Sequence, residues 1–320
     1  MKVILARPRG FCAGVNMALE TLNTALELFG APVYVYHEIV HNKHVVGRFR
    51  EKGAIFVDDI AEVPDGSTLV FSAHGVSPAV RKAAAGRGLR AIDATCPLVT
   101  KVHSEAVRFA RQGRTILLIG HEGHDEIIGT MGEAPGQIRL VESAEAAQEV
   151  DVPDERHVAF LSQTTLSVDD ANAVIAGLRR RFPEIVAPPK EDICYATQNR
   201  QEAVREIAPE ADLVLVIGSQ NSSNSLRLRE IATEIGVPAH LIDSASEIQP
   251  EWLEGASTVA ITAGASAPEE LVQECVAYLR TSHAAVVEER TIREEDMHFQ
   301  LPVALRRAMT RSELASAAGS

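Results

Sequence analysis

Cysteine is scarce in this chain, with four in 320 residues. That is too few for a disulfide scaffold at this length, so a cysteine with a special role is a metal ligand or a nucleophile in a reducing compartment. Long apolar runs are missing as well. Stretches such as 116–119 and 213–217 fall far short of the roughly 20 residues that a bilayer span requires. The opening MKVILARPRG has only four consecutive apolar residues before Arg7, which predicts no secretory signal. Positive charge is in deficit: 31 Lys and Arg against 44 Asp and Glu leave a formal charge of −13. Neither nucleic acid nor an anionic membrane is therefore an expected partner. Two phosphate-binding signatures are also absent. No GxxxxGK(S/T) occurs, and GSQNSS, although followed by Asp243 at 25 residues from Gly218, lacks the second and third glycines of a dinucleotide-binding turn. What remains, 46% hydrophobic and 23% charged, is an ordinary globular composition, long enough for two or more packing units and expected to be cytoplasmic.

What is present is a recurring grammar. A short β-branched run passes through small or polar residues into a segment of helical spacing. Residues 3–6 lead through RPRGFCAG, 69–72 through AHGVSPA, 213–217 through GSQNSSNS and 259–262 through AGASAPEE. Such alternation predicts parallel sheets covered by helices, with ligands held where strand ends meet helix N-termini. The grammar also repeats. Cys12, Cys96 and Cys194 each sit at a strand-to-helix turn; His41 follows the first by 29 residues, His124 the second by 28 and Ser222 the third by 28. Strands ending in Asp58, Glu142 and Asp243 come next, and then loops carrying His74, Thr164 and Ser266. The expected fold is α/β: three similar lobes with small, mainly parallel sheets in a pseudo-threefold arrangement around one centre. Their expected bounds are 14–96, 97–193 and 194–281, after an N-terminal strand and first ligand in 1–13. A charged, then amphipathic segment follows at 282–320, and its end, SELASAAGS, has a disordered composition.

A cysteine taken singly is usually a small core hydrophobe. Cys275 fits that description, lying at helical spacing from Leu271, Val272 and Leu279. Cys12, Cys96 and Cys194 differ by sharing one place in the repeat. Three converging thiolates can hold zinc, or an iron–sulfur cluster with one iron lacking a cysteine ligand. A single histidine is more often structural than functional, but His41, His74 and His124 all fall in post-strand loops. HEGH is no zinc-protease motif, because its histidines are three apart and cannot share a helical face at i, i+4. Glu126 is a candidate general acid beside His124, or simply a carboxylate complementing a helix dipole. Thr164, Thr165, Ser222, Ser223, Asn224 and Ser266 offer hydroxyls and amides at helix starts. Capping explains them, and capping is compatible with anion binding at the same N–H groups.

The motifs RGFCAGV, VHN, SAHGVSP, DATCPLV, GHEGHDE, SQTTLSVDD, DICYATQNRQEA, GSQNSSNS and GASAPE, in this order over roughly residues 1–305, resemble those of the LytB/IspH family of 4-hydroxy-3-methylbut-2-enyl diphosphate reductases. The resemblance implies three lobes around a central iron–sulfur cluster, [4Fe-4S] in its active form. Cys12, Cys96 and Cys194 match its ligands, leaving one iron without a cysteine. It further implies that His41, His74, His124, Ser222, Ser223, Asn224 and Ser266 bind the diphosphate. Glu126 matches the proton donor, with His124 beside it in the catalytic set, and Thr164 lies beside the substrate hydroxyl. The implied reaction is reductive dehydroxylation to isopentenyl and dimethylallyl diphosphates, the last step of the non-mevalonate isoprenoid pathway. Electrons would come from an external ferredoxin or flavodoxin, and the enzyme would be a monomer or homodimer. Two other readings use the same residues: a zinc-dependent phosphohydrolase, and a non-enzymatic iron–sulfur redox sensor.

Overall fold

The structure, a computed structural model, describes residues 1–318, with side chains through Arg311. The chain begins with β1 (Lys2–Arg7) and α1 (Ala13–Phe29), then β2 (Val33–Tyr36), α2 (Lys43–Glu51), β3 (Ala54–Val57), β4 (Thr68–Phe71), α3 (Pro78–Gly86) and β5 (Arg90–Asp93). A second stretch holds α4 (Pro97–Arg111), β6 (Thr115–Ile119), α5 (Asp125–Met131), β7 (Ile138–Val141), α6 (Ala146–Glu149), β8 (Val158–Ser162) and α7 (Val168–Arg181). A third holds α8 (Tyr195–Ile207), β9 (Leu213–Ile217), α9 (Ser223–Glu234), β10 (Ala239–Ile242), β11 (Thr258–Ala263), α10 (Glu269–His283), β12 (Val286–Thr291) and α11 (Val303–Ala318).

Three small sheets result, ordered β3-β2-β4-β5, β7-β6-β8 and β10-β9-β11-β1-β12, and every named pairing is parallel. The α/β architecture with small parallel sheets agrees with the expectation. Interior strands such as β4 and β9 are buried at every residue, as continuous apolar runs must be when helices cover both faces of a parallel sheet. Cys275 is fully buried in the core of the third sheet beside Leu271, Val272 and Leu279.

The two ends of the chain depart from a purely sequential arrangement. The N-terminal strand, set apart on sequence as 1–13, pairs with β11 at Lys2↔Thr258 and with β12 at Lys2↔Val286, so it lies inside the third sheet. β12 itself falls in a stretch that reads as merely charged. It is an edge strand whose charges are paired laterally, with Glu288 2.8 Å from Lys2, which suits a sheet edge. α11 returns to the first lobe and buries Leu305 in the core formed by Leu22, Ala25 and Ile92. The expected disordered end at 312–320 concerns side chains outside the described residues, and Gly319 and Ser320 lie outside them altogether. Among the described residues, no helix is long and apolar enough to cross a membrane.

Candidate functional site

Each repeated cysteine begins a helix. Cys12, Cys96 and Cys194 are the N-cap residues of α1, α4 and α8, so their side chains stand at ends rich in free N–H groups and favourable to negative charge. All three are free thiols, and all three line one cleft. His41, His74, His124, Glu126, Thr164, Thr165, Ser222, Ser223, Asn224 and Ser266 line the same cleft. Every site residue expected from the sequence is therefore brought to one place. The loops follow strands for most of them, but Cys194, expected at a strand-to-helix turn, instead ends the coil that joins α7 to α8.

The thiols are poised for a cation. Burial first, and then the neighbouring Cys12, pushes Cys96 up to about 12 and Cys194 up to about 11. Thiols held that high give up their protons only to a positively charged centre. Thr197 supports Cys194, its N–H 3.4 Å and its hydroxyl 3.2 Å from the sulfur. Space is kept open by Gly14, where a Cβ would stand 2.6 Å from the Cys96 sulfur and 3.9 Å from that of Cys12. Three thiols around this open cradle could hold a metal centre.

The histidines of the same cleft form a cluster. His41 and His74 stack at 3.9 Å between centroids, and His124 meets them edge-on at 5.3 and 5.8 Å. Burial, reinforced by the neighbouring imidazoles, holds His74 well below its usual range. Burial likewise brings His124 to about 4. Both are neutral donors at pH 7. His124 caps α5, its Nδ1 accepting the Glu126 N–H at 3.1 Å, which leaves Nε2–H to donate into the cleft.

Glu126 is almost completely buried. Its Oε1 accepts the Thr164 N–H at 2.8 Å and its Oε2 the Thr164 hydroxyl at 2.9 Å. Burial outweighs these two bonds and raises the carboxyl to about 7, the range suited to proton transfer near neutral pH.

The third lobe supplies hydroxyls and an amide at the start of α9. Ser222 accepts the Ser225 N–H at 3.4 Å, so capping and cleft lining coincide. Asn224 Oδ1 accepts the Ala265 N–H at 2.9 Å, and Ser266 donates to the His41 carbonyl at 2.9 Å. Ser223 is turned instead to the Thr165 carbonyl, 3.2 Å away. Thr197 was not singled out on sequence; its signal is the hydroxyl residue three positions after an N-cap cysteine. Gly14, two residues after Cys12, is legible only once the opposing sulfur is known.

These features define a class: an α/β enzyme of three parallel-sheet lobes closing on one cleft lined by three thiols and by polar, anion-suited loops. The family model described as LytB protein matches residues 3–280, and the chain belongs to that family. It is 59% identical over 306 residues to a 4-hydroxy-3-methylbut-2-enyl diphosphate reductase of Rhodopirellula baltica, covering 96% of each chain. Among solved structures it resembles the E-1-hydroxy-2-methyl-but-2-enyl-4-diphosphate reductase of Plasmodium falciparum, with TM-score 0.95, 37% identity and coverage of 98% and 99%. A second, described as (E)-4-hydroxy-3-methyl-but-2-enyl diphosphate reductase, the terminal enzyme of the non-mevalonate pathway, matches with TM-score 0.63 and 33% identity over 88% of this chain and 100% of the other.

Proposed function

We propose that this chain reduces 4-hydroxy-3-methylbut-2-enyl diphosphate, removing the allylic hydroxyl to give isopentenyl and dimethylallyl diphosphates at the end of the non-mevalonate pathway. The observation that carries the reading is Glu126, a buried carboxyl raised to about 7 in the same cleft as three helix-capping thiols. Near-full-length identity to named reductases supports the substrate. Cys12, Cys96 and Cys194 would hold an iron–sulfur cluster, [4Fe-4S] in the active form. When bound, that group supplies electrons and, at the iron without a cysteine, a Lewis acid.

The chain's own residues supply the rest. His41, His74 and His124, with Ser222, Ser223, Asn224 and Ser266, anchor the diphosphate through side-chain donors and the N-terminus of α9. Anchoring there directs the hydroxyl end toward the thiols and fixes it beside Thr164. Glu126 delivers a proton to the departing oxygen, which leaves as water. The overall change consumes two electrons and two protons, and a second proton enters at either end of the allyl system, so two products arise. Burial of Glu126 and Thr164 keeps bulk water away from that step. No nicotinamide or flavin signature occurs in the sequence, so electrons would come from a separate ferredoxin- or flavodoxin-type carrier.

Anaerobic purification followed by iron and sulfide analysis and multiple-turnover assay with a reduced carrier tests the reading. Brown protein with thiolate-to-iron absorption, iron and sulfide near four each, and both olefinic products are expected. Colourless, zinc-loaded protein that releases phosphate would establish the phosphohydrolase instead.

A further inference from the structure

Asp125, the first residue of α5, performs no step above, yet its carboxylate stands among the histidines. Its Oδ2 is 3.8 Å from His41 Nε2 and 3.8 Å from His74 Nδ1. A carboxylate there is unexpected, because unpaired it would repel a diphosphate held by those rings. Its Oδ1, however, lies 2.6 Å from Nδ1 of His37, the residue after β2. The contact joins the first lobe to the second, and both side chains are largely buried, at 23% and 16% exposure.

The His37 backbone points to the same pairing. It lies in the left-handed region, at φ +59°, where a non-glycine residue is strained and persists only when its surroundings hold it. Its ring stacks on Tyr36 at 4.1 Å, and its N–H donates to the Val57 carbonyl at 2.8 Å. The bond to Asp125 raises the proton affinity of His37. Burial pushes Asp125 up, but His37 and then His41 and His124 bring it below the usual carboxylate range. The other ionisable groups facing the pair are Tyr36, Asp58, His41, His74 and His124. Glu38 is engaged by His41 Nδ1 at 3.3 Å and by Asn221 at 2.8 Å.

We propose that His37 sets the anion affinity of the cleft without touching the anion: by pairing across the lobe boundary it neutralises Asp125, which otherwise opposes a diphosphate beside His41 and His74. His37 and Asp125 are thus positioning residues, and the proposal rests on the diphosphate reading of the cleft.

Calorimetry of inorganic diphosphate binding to the anaerobic, cluster-loaded protein tests it. His37→Gly relieves the left-handed backbone while removing the imidazole that pairs with Asp125, so the fold is retained, as a melting curve will verify. Its affinity should drop about tenfold or more, because one partner of a buried pair is left charged. Adding Asp125→Asn should restore affinity to within about threefold of wild type. A purely structural clasp predicts no such rescue. Unchanged affinity in His37→Gly, or a double variant no tighter than the single, overturns the proposal. Wild-type protein that binds no diphosphate overturns the anion reading of the cleft, and this proposal with it.

Discussion

Glu126 concentrates the chemistry of the cleft in one proton. Buried, with its carboxylate bonded to Thr164, it has an ordinary value of 4.5 raised to about 7. A general acid must be protonated, so turnover should fall as pH rises through about 7 and level off below it. Glu126→Gln should keep iron, sulfide and diphosphate binding yet lose turnover by about 100-fold or more. Near-normal turnover would remove Glu126 from the role. Thr164→Val separates position from charge. Loss of a hydroxyl that donates to the carboxylate favours the protonated form, so the falling limb of the pH–rate profile should move to higher pH. A limb that moves down would show that Thr164 does not tune Glu126. Stability follows the same sign. The folded state keeps a proton that the unfolded chain has lost, so Glu126 weakens folding progressively as pH rises from about 4.5 through about 7, and Gln removes that slope.

Among elements, the first turn of α1 shows local propensity giving way to the site. Alanine is a better helix former than glycine, so Gly14→Ala would be expected to strengthen α1. Here its Cβ would stand 2.6 Å from the Cys96 sulfur. The variant should therefore keep its far-UV circular dichroism while its iron content per chain falls by about half or more; full loading would contradict the cradle. The elements also show what a sequence can tell. The strand–loop–helix grammar was readable because each unit is local, and the repeat exposed three cysteines and the loop histidines because their spacing recurs. β12 was not readable. Its ionic residues mask a strand that pairs only because β1 offers an edge, with Lys2 and Val286 in register from opposite ends of the chain. The His37–Asp125 bond, which joins residues 88 apart, was equally hidden, since nothing in either local motif points to the other lobe.

The whole molecule is tied together at Arg200, the largest fully buried side chain. It lies on α8, six residues after Cys194. Its guanidinium donates to the Gly10 carbonyl at 2.7 Å, two residues before Cys12, and to the Ala196 carbonyl at 2.9 Å. It also pairs with Glu295, beyond β12, at 3.0 Å. One cation therefore couples two thiol-bearing arms to the C-terminal segment, a link that helical periodicity on α8 cannot foretell. Removing one partner of a buried pair costs more than removing both, because the survivor keeps its charge without compensation. Arg200→Met should lower unfolding stability by about 3 kcal/mol, and it should slow cluster assembly by freeing the Cys12 arm from α8. Arg200→Met combined with Glu295→Leu should recover part of the stability, since apolar replacement of both ions restores packing without an unpaired charge. It should not recover assembly, because the Gly10 carbonyl still lacks its donor. Denaturant unfolding of the cluster-free protein, set beside the rate of iron uptake, separates the two effects. Parallel recovery of both would show that Arg200 acts through stability alone and does not position the Cys12 arm.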